Sequence, residues 1–339
     1  MKKVIYLAAP PEEPPTYESV ELLRLQAAGH LAGLTSRLGF KNRQGRPISI
    51  EIAVDAVDPS NRYFYNACAA PAGENTYKVR LGGGLLARLD ALSRALTADR
   101  SILKGCTRTI LLTGQVRKHG RPKAMADFAF YCLLDLVFWH EVAHIVLGHV
   151  DWLISTFGCR DLAEMAMTAL TPDEIAARIA LEGDADRQSA LWSVSMFDYI
   201  MDRNDHLRYQ AKADAFHDFG YLASALFMML DGLRSEAGHE GPSTHPENNE
   251  RIGMLAIFSE AYLRGAYPAA SKHSLHESIV QGVAQALRHI IHANRQPLNL
   301  LEIVRFAASN TETVERLGVR RFQLVANPDF ASSFDLSRL

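Results

Sequence analysis

"FWHEVAHIVLGH", from Phe138 to His149, holds two histidines four residues apart with a glutamate after the first: His140-Glu141-Val142-Ala143-His144. Positions i and i+4 of a helix lie one above the other, with Cβ atoms about 5 to 6 Å apart, so both rings reach one ion at about 2.0 to 2.1 Å. Glu141 is rotated off that axis and points beside the ion, where a carboxylate takes a proton from an activated water. With 13 histidines in the chain the pattern can also arise by chance, the two rings then lining an apolar helix face. The surrounding sequence decides between these.

A catalytic zinc site needs three protein ligands and an open position. Downstream, "TPDEIAARIALEGDADRQSALWSVSMFDYIM" reads as a long helix: Thr171 is an N-cap, Pro172 takes the first helical position, and Asp173 and Glu174 occupy the first turn. Glu182 and Asp186 fall one turn apart on one face of it. Glu182 suits a third ligand, and Asp186 suits an acceptor for the free ring N–H of a histidine ligand. The acids Glu182, Asp184 and Asp186 also read as a solvated helix face. Farther on, "STHPENNERI" offers His245 as a hydrogen-bond donor to an oxyanion, or as a loop histidine. Arg251 follows on a helix that would support the site. His149 reads as a helix-end residue, because five residues past His144 is a different helix face.

Taken together, H-E-x-x-H (His140–His144), E-x-x-A-D (Glu182–Asp186) and S-T-H-P followed by R-I (Ser243–Ile252) resemble, in order and spacing, the M48 family of gluzincin metallopeptidases. Upstream, "NACAAPAGENTYKVRLGGGLL" is similar to that family's N-A-x-A turn, edge strand and G-L-L helix start. The resemblance spans about Tyr63 to Arg264. It implies a zincin-like core with His140, His144 and Glu182 as zinc ligands, Glu141 as base, Asp186 behind a ligand and His245 as oxyanion donor. The family's best-known members are membrane-embedded, whereas no segment here reads as a bilayer span. The Gly148-His149 pair, with Asp151 beyond it, is also similar to soluble H-E-x-x-H proteins of stress and phage-exclusion systems.

Composition limits the alternatives. A net charge of -2 gives no general pull toward nucleic acid, and the basic run Arg117 to Lys123 reads as a solvated loop. Four scattered cysteines, Cys68, Cys106, Cys132 and Cys159, suggest neither a disulfide framework nor a thiolate zinc site. The apolar run in "MKKVIYLAAPPEEPP" is short for a signal peptide, so a cytoplasmic protein is expected.

Helical periodicity marks Tyr17–Leu38, about fifteen residues after the three glycines, the stretch from Ala124 through the motif, about His206–Arg234, and Glu247–Ala266. Alternation marks strands at Ile48–Val57 and Thr76–Leu81. The expected fold is α+β, mainly helical: an N-terminal α/β segment (1–60), a zincin-like domain (61–268) and a helical C-terminal extension (269–339). Thr76–Leu81 is expected at the sheet edge lining the cleft, with Tyr77, Lys78, Val79, Arg80 and Leu81 pairing with an extended peptide. The expected function is a zinc-dependent endopeptidase with one Zn²⁺ per chain and a protein or peptide substrate. Alternatives are a specific regulatory protease of a stress or phage-defence system and a non-enzymatic zinc-binding interaction module.

Overall fold

The computed structural model describes residues 17–42, 46–55, 65–107, 111–112, 120–158, 171–203, 207–236, 245–268, 275, 277–290 and 299–319. The N-terminal apolar run, Arg117–His119, Cys159, His206 and the Ser243-Thr244 pair lie outside the described residues.

The chain opens with α1 (Tyr17–Arg37), β1 (Phe40–Lys41) and β2 (Pro47–Val54), followed by the hairpin strands β3 (Ala67–Gly73) and β4 (Thr76–Leu81). Next come α2 (Gly83–Ala98), the short α3 (Lys104–Thr107), β5 (Leu111–Leu112), α4 (Gly120–Val146) and α5 (His149–Phe157). The remainder comprises α6 (Pro172–Arg203), β6 (Leu207–Arg208), α7 (Lys212–Glu236), α8 (Asn248–Ala266), α9 (Ser278–His289) and α10 (Leu300–Arg316). The result is mainly helical with a small four-stranded mixed sheet and a separate two-stranded pairing of β5 with β6. The region about His206–Arg234 starts as β6 before becoming helix, because Leu207-Arg208 pairs with Leu111-Leu112 far upstream.

Thr76–Leu81 is an interior strand, correcting the expected edge. The strand order is β1-β2-β4-β3, with β4 parallel to β2 from Ser49↔Thr76 to Val54↔Leu81 and antiparallel to β3 from Ala67↔Leu81 onward. Its backbone is therefore engaged on both sides. Alternation holds: Tyr77, Val79 and Leu81 are buried, while Lys78 and Arg80 point the other way. Those two cations face the acids of β2 and the residue after it, Lys78 Nζ lying 3.8 Å from Glu51 Oε2 and Arg80 Nε 2.7 Å from Asp55 Oδ2. The parallel partner arrives from more than twenty residues upstream, a pairing that local alternation does not encode. Among the described residues the outer strand beside the helices is β3, which packs on α4 and α5.

Helix α4 is the centre of the helical layer, packed against α2, α6 and α7. Its Pro122–Val146 stretch is long and apolar enough to cross a bilayer, but most of it is buried inside the fold. Helix α6 begins as the sequence specifies: the Thr171 hydroxyl accepts from the Glu174 N–H at 3.3 Å, and the Glu174 carboxylate accepts from the Thr171 N–H at 2.8 Å, a reciprocal capping box. Helix α8 starts with the same device on Glu247 and Glu250. Helices α9 and α10 close the far side, α9 on α7 and α10 across α6 and α8. One hydrophobic core runs from Ala27 in α1 to Val319 after α10.

Candidate metal centre

Helix α4 delivers the first two donors and α6 the third. His140 Nε2 lies 3.0 Å from Glu182 Oε2 and 3.1 Å from His144 Nε2, and His144 Nε2 lies 3.4 Å from Glu182 Oε2. Two metal–ligand bonds of about 2.1 Å at a tetrahedral angle set their donors about 3.4 Å apart. The three atoms thus form a triangle the size of one face of a zinc tetrahedron. Of the histidines and acids among the described residues, these three make the group able to hold a metal ion. A cluster of two imidazoles and a carboxylate suits zinc by donor type as well as by spacing.

The ring nitrogens facing away from the triangle lie against further polar side chains. His140 Nδ1 lies 3.0 Å from Asp186 Oδ1, and Asp186 is gripped by Arg251, whose Nε and Nη2 donate to the two carboxylate oxygens at 2.7 and 2.9 Å. The Arg251 guanidinium stacks 4.7 Å above the Phe227 ring, so α6, α7 and α8 meet at this ion pair. Glu182 and Asp186 are buried members of the site, not a solvated face. Asp184, between them, is equally buried and accepts from Arg187 Nε at 3.3 Å.

Charge follows from this packing. Burial opposes the charged form of His140, but the Asp186 and Glu182 carboxylates outweigh it and hold its pKa well above the usual histidine value. Burial dominates at His144 and lowers it to about 4, against the pull of Glu182. Glu182 is buried too, yet His245, His144 and His140 keep its carboxyl well below the usual range. Asp186, despite burial, is drawn down to about 2 by Arg251 and His140. The site is a pair of fixed carboxylates presenting negative charge to whatever cation sits among the imidazoles.

Glu141 is buried and lines, with His140, Asp186, Arg251 and Ala67 of β3, a pocket whose other walls include Leu136, Leu226 and Phe227. His245 is buried at the mouth of α8, its Nε2 3.2 Å from the same Glu182 oxygen that the two α4 histidines approach. None of the strand residues Tyr77 to Leu81 lines the pocket; the Tyr77 hydroxyl donates to Asp151 of α5, 2.9 and 2.8 Å from the two carboxylate oxygens.

His149 stands at a helix end and outside the donor triangle, as expected, but it touches His144. Its Nδ1 lies 3.1 Å from His144 Nδ1, and the residue is fully buried. Counting along a continuous helix put it on another face, but α4 ends at Val146. Gly148 then adopts a left-handed backbone (φ 79°, ψ 19°), and α5 starts at His149 in a new direction. The glycine in "LGH" was the available signal.

The chain matches no protein-family model, no curated protein and no solved structure.

Proposed function

We propose that this chain is a zinc-dependent endopeptidase of gluzincin type, with His140, His144 and Glu182 holding one ion per chain and Glu141 acting as general base. The donor triangle carries the reading, with the buried Glu141 beside His140 on the wall of one pocket. When bound, zinc supplies Lewis acidity, lowering the pKa of a water to about 7 and polarising a carbonyl. Glu141 accepts the proton of the attacking water and returns it to the leaving amine. His245 donates to the oxygen that becomes negative in the tetrahedral intermediate. Asp186, fixed by Arg251, keeps the Nε2 of His140 turned toward the ion.

Because β4 has partners on both sides, the peptide pairs with β3, whose Ala67 borders the same pocket as Glu141. The apolar wall formed by Leu136, Leu226 and Phe227 favours an apolar side chain beside the scissile bond.

Elemental analysis together with cleavage of a denatured proteome tests the proposal. Wild type is expected to carry one zinc and to hydrolyse peptides, and Glu141→Gln to keep zinc and lose nearly all turnover. A Glu141→Gln protein that retains activity removes Glu141 from the chemistry.

The position of His245 also favours a second reading, the non-enzymatic zinc module, since a fourth protein donor would close the coordination shell. His245→Phe separates the two. An enzyme keeps its zinc and loses roughly 10² to 10³ in kcat. A closed structural site loses metal affinity, and its wild type cleaves nothing.

A further inference from the structure

Buried behind His144 is a second line of polar groups that the proposed chemistry does not use. His144 Nε2 faces His140 and Glu182, so its other nitrogen, Nδ1, faces away from the donor triangle and meets His149 Nδ1 at 3.1 Å. His149 Nε2 in turn lies 3.4 Å from Asp184 Oδ2, an ion-pair contact and not an aligned hydrogen bond, and Asp184 Oδ1 accepts from Arg187 Nε at 3.3 Å. His144, His149, Asp184 and Arg187 are each no more than 7% exposed. The Arg187 guanidinium sits 5.6 Å over the ring of Phe258, so the line ends in packed protein at α8 and not in solvent.

Proton placement along this line is constrained by arithmetic. A neutral imidazole carries one N–H, and a His144 that gives Nε2 to a metal carries its proton on Nδ1. That N–H can only be satisfied by an acceptor, so His149 Nδ1 must be unprotonated. The proton of His149 then resides on Nε2, the nitrogen turned toward the Asp184 carboxylate. We infer that His149 is a positioning residue for His144: it accepts the Nδ1–H of that ligand, and the nearby Asp184 carboxylate, held by Arg187 Nε, favours by its charge the tautomer with the proton on Nε2. The inference rests on the reading of His140, His144 and Glu182 as a zinc site. It gives the two α4 ligands separate supports, a carboxylate directly behind His140 and a histidine–carboxylate pair behind His144, both drawn from the "EGDADR" turn of α6.

The test measures zinc affinity, by competition with a chromophoric chelator, and the melting temperature of metal-free and zinc-loaded protein. His149→Leu removes the acceptor while filling much of the ring's volume, and it is expected to weaken zinc binding roughly 10- to 100-fold, the usual cost of losing a group behind a ligand. His149→Asn places Oδ1 where Nδ1 stood and is expected to restore most of that affinity. Asp184→Asn is expected to weaken zinc binding in the wild type but to add little on top of His149→Leu, since the two act in one line. Long-range ¹H–¹⁵N spectra of the zinc-loaded protein should show His149 protonated on Nε2.

Equal zinc affinity in His149→Leu and wild type overturns the inference, and so does an Asn variant as weak as the Leu variant, because packing alone would then account for the loss. A His149 proton on Nδ1 overturns it without any mutation, which keeps the test available if the Leu variant fails to fold. Wild type that takes up no zinc overturns the metal site itself, a different result from a wild type that binds zinc with or without His149.

Discussion

At the scale of single residues the site is governed by what burial does to charge. His140 is held protonated above its ordinary range by Asp186 and Glu182, whereas His144 is lowered to about 4 and is neutral at pH 7. Zinc binding through His140 is therefore expected to displace a proton from that ring. Calorimetric titration in buffers of different ionisation enthalpy should register that release, and affinity should fall steadily as the pH is lowered from 7 toward 5. Release of no proton would mean that His140 is already neutral before zinc enters or is not a ligand. Stability of the metal-free protein follows the opposite senses of these shifts. The His140 contribution is complete below the unfolded histidine value and is lost as pH rises through the raised folded value. The Asp186 contribution is complete above 3.8 and is lost as pH falls through about 2. Asp186→Asn should cost roughly 10- to 100-fold in zinc affinity, and an unchanged affinity would leave Asp186 a purely structural partner of Arg251.

At the scale of elements, the break between α4 and α5 matters as much as the helices themselves. Gly148 is the residue at which the chain leaves one axis and brings His149 back against His144. A β-carbon in this left-handed conformation costs about 1 to 2 kcal/mol, less for asparagine. Gly148→Ala is expected to lose that much in urea unfolding and to weaken zinc binding beyond the stability loss. An alanine variant with unchanged stability would show that the turn relaxes to another conformation. Helix α6 plays the complementary part, placing Glu182, Asp184 and Asp186 within little more than one turn, so that a single element supplies a candidate ligand and the carboxylate near each histidine line.

For the whole molecule, the C-terminal helices pack on the site's supporting layer. Asn310 of α10 donates to the Ala180 carbonyl at 3.0 Å and lies over Gly183, next to Glu182, where a β-carbon would come within 3.0 Å of its side chain. Helices α7 and α9 cross at reciprocal glycines: a β-carbon on Gly220 would stand 2.5 Å from the Ile279 carbonyl oxygen, and one on Gly282 would collide with that of His217. The obstacle at both is backbone, which cannot rotate aside. Gly282→Ala is therefore expected to destabilise by about 1 to 3 kcal/mol, toward the upper end. Gly29→Ala on α1, with nothing within 4 Å of the new carbon, should stabilise by about 0.4 to 1 kcal/mol. Similar melting temperatures for the two variants would show that the α7–α9 crossing gives way without cost.

What the sequence determined by itself is what local periodicity and capping encode. The i, i+4 spacing stacked His140 and His144, Thr171-Pro172 with Glu174 started α6 where it begins, and alternation assigned Thr76–Leu81 as a strand with the right faces. Glu182, Asp186 and His245 were legible as candidates because carboxylates and imidazoles suit a metal site, and Arg251 as a supporting residue on the helix that follows His245. Their convergence was not legible, since it depends on how α4, α6 and α8 pack. Tertiary structure alone decided that β4 is interior, because its parallel partner β2 is brought in from a distant segment. It alone turned His149 inward, because one left-handed glycine redirects a helix axis that a 3.6-residue count assumes to be continuous. It also buried Asp184 behind that histidine, where a periodic reading had left the alternative of a solvated acid, since burial is a property of neighbouring elements and not of the segment that carries the residue.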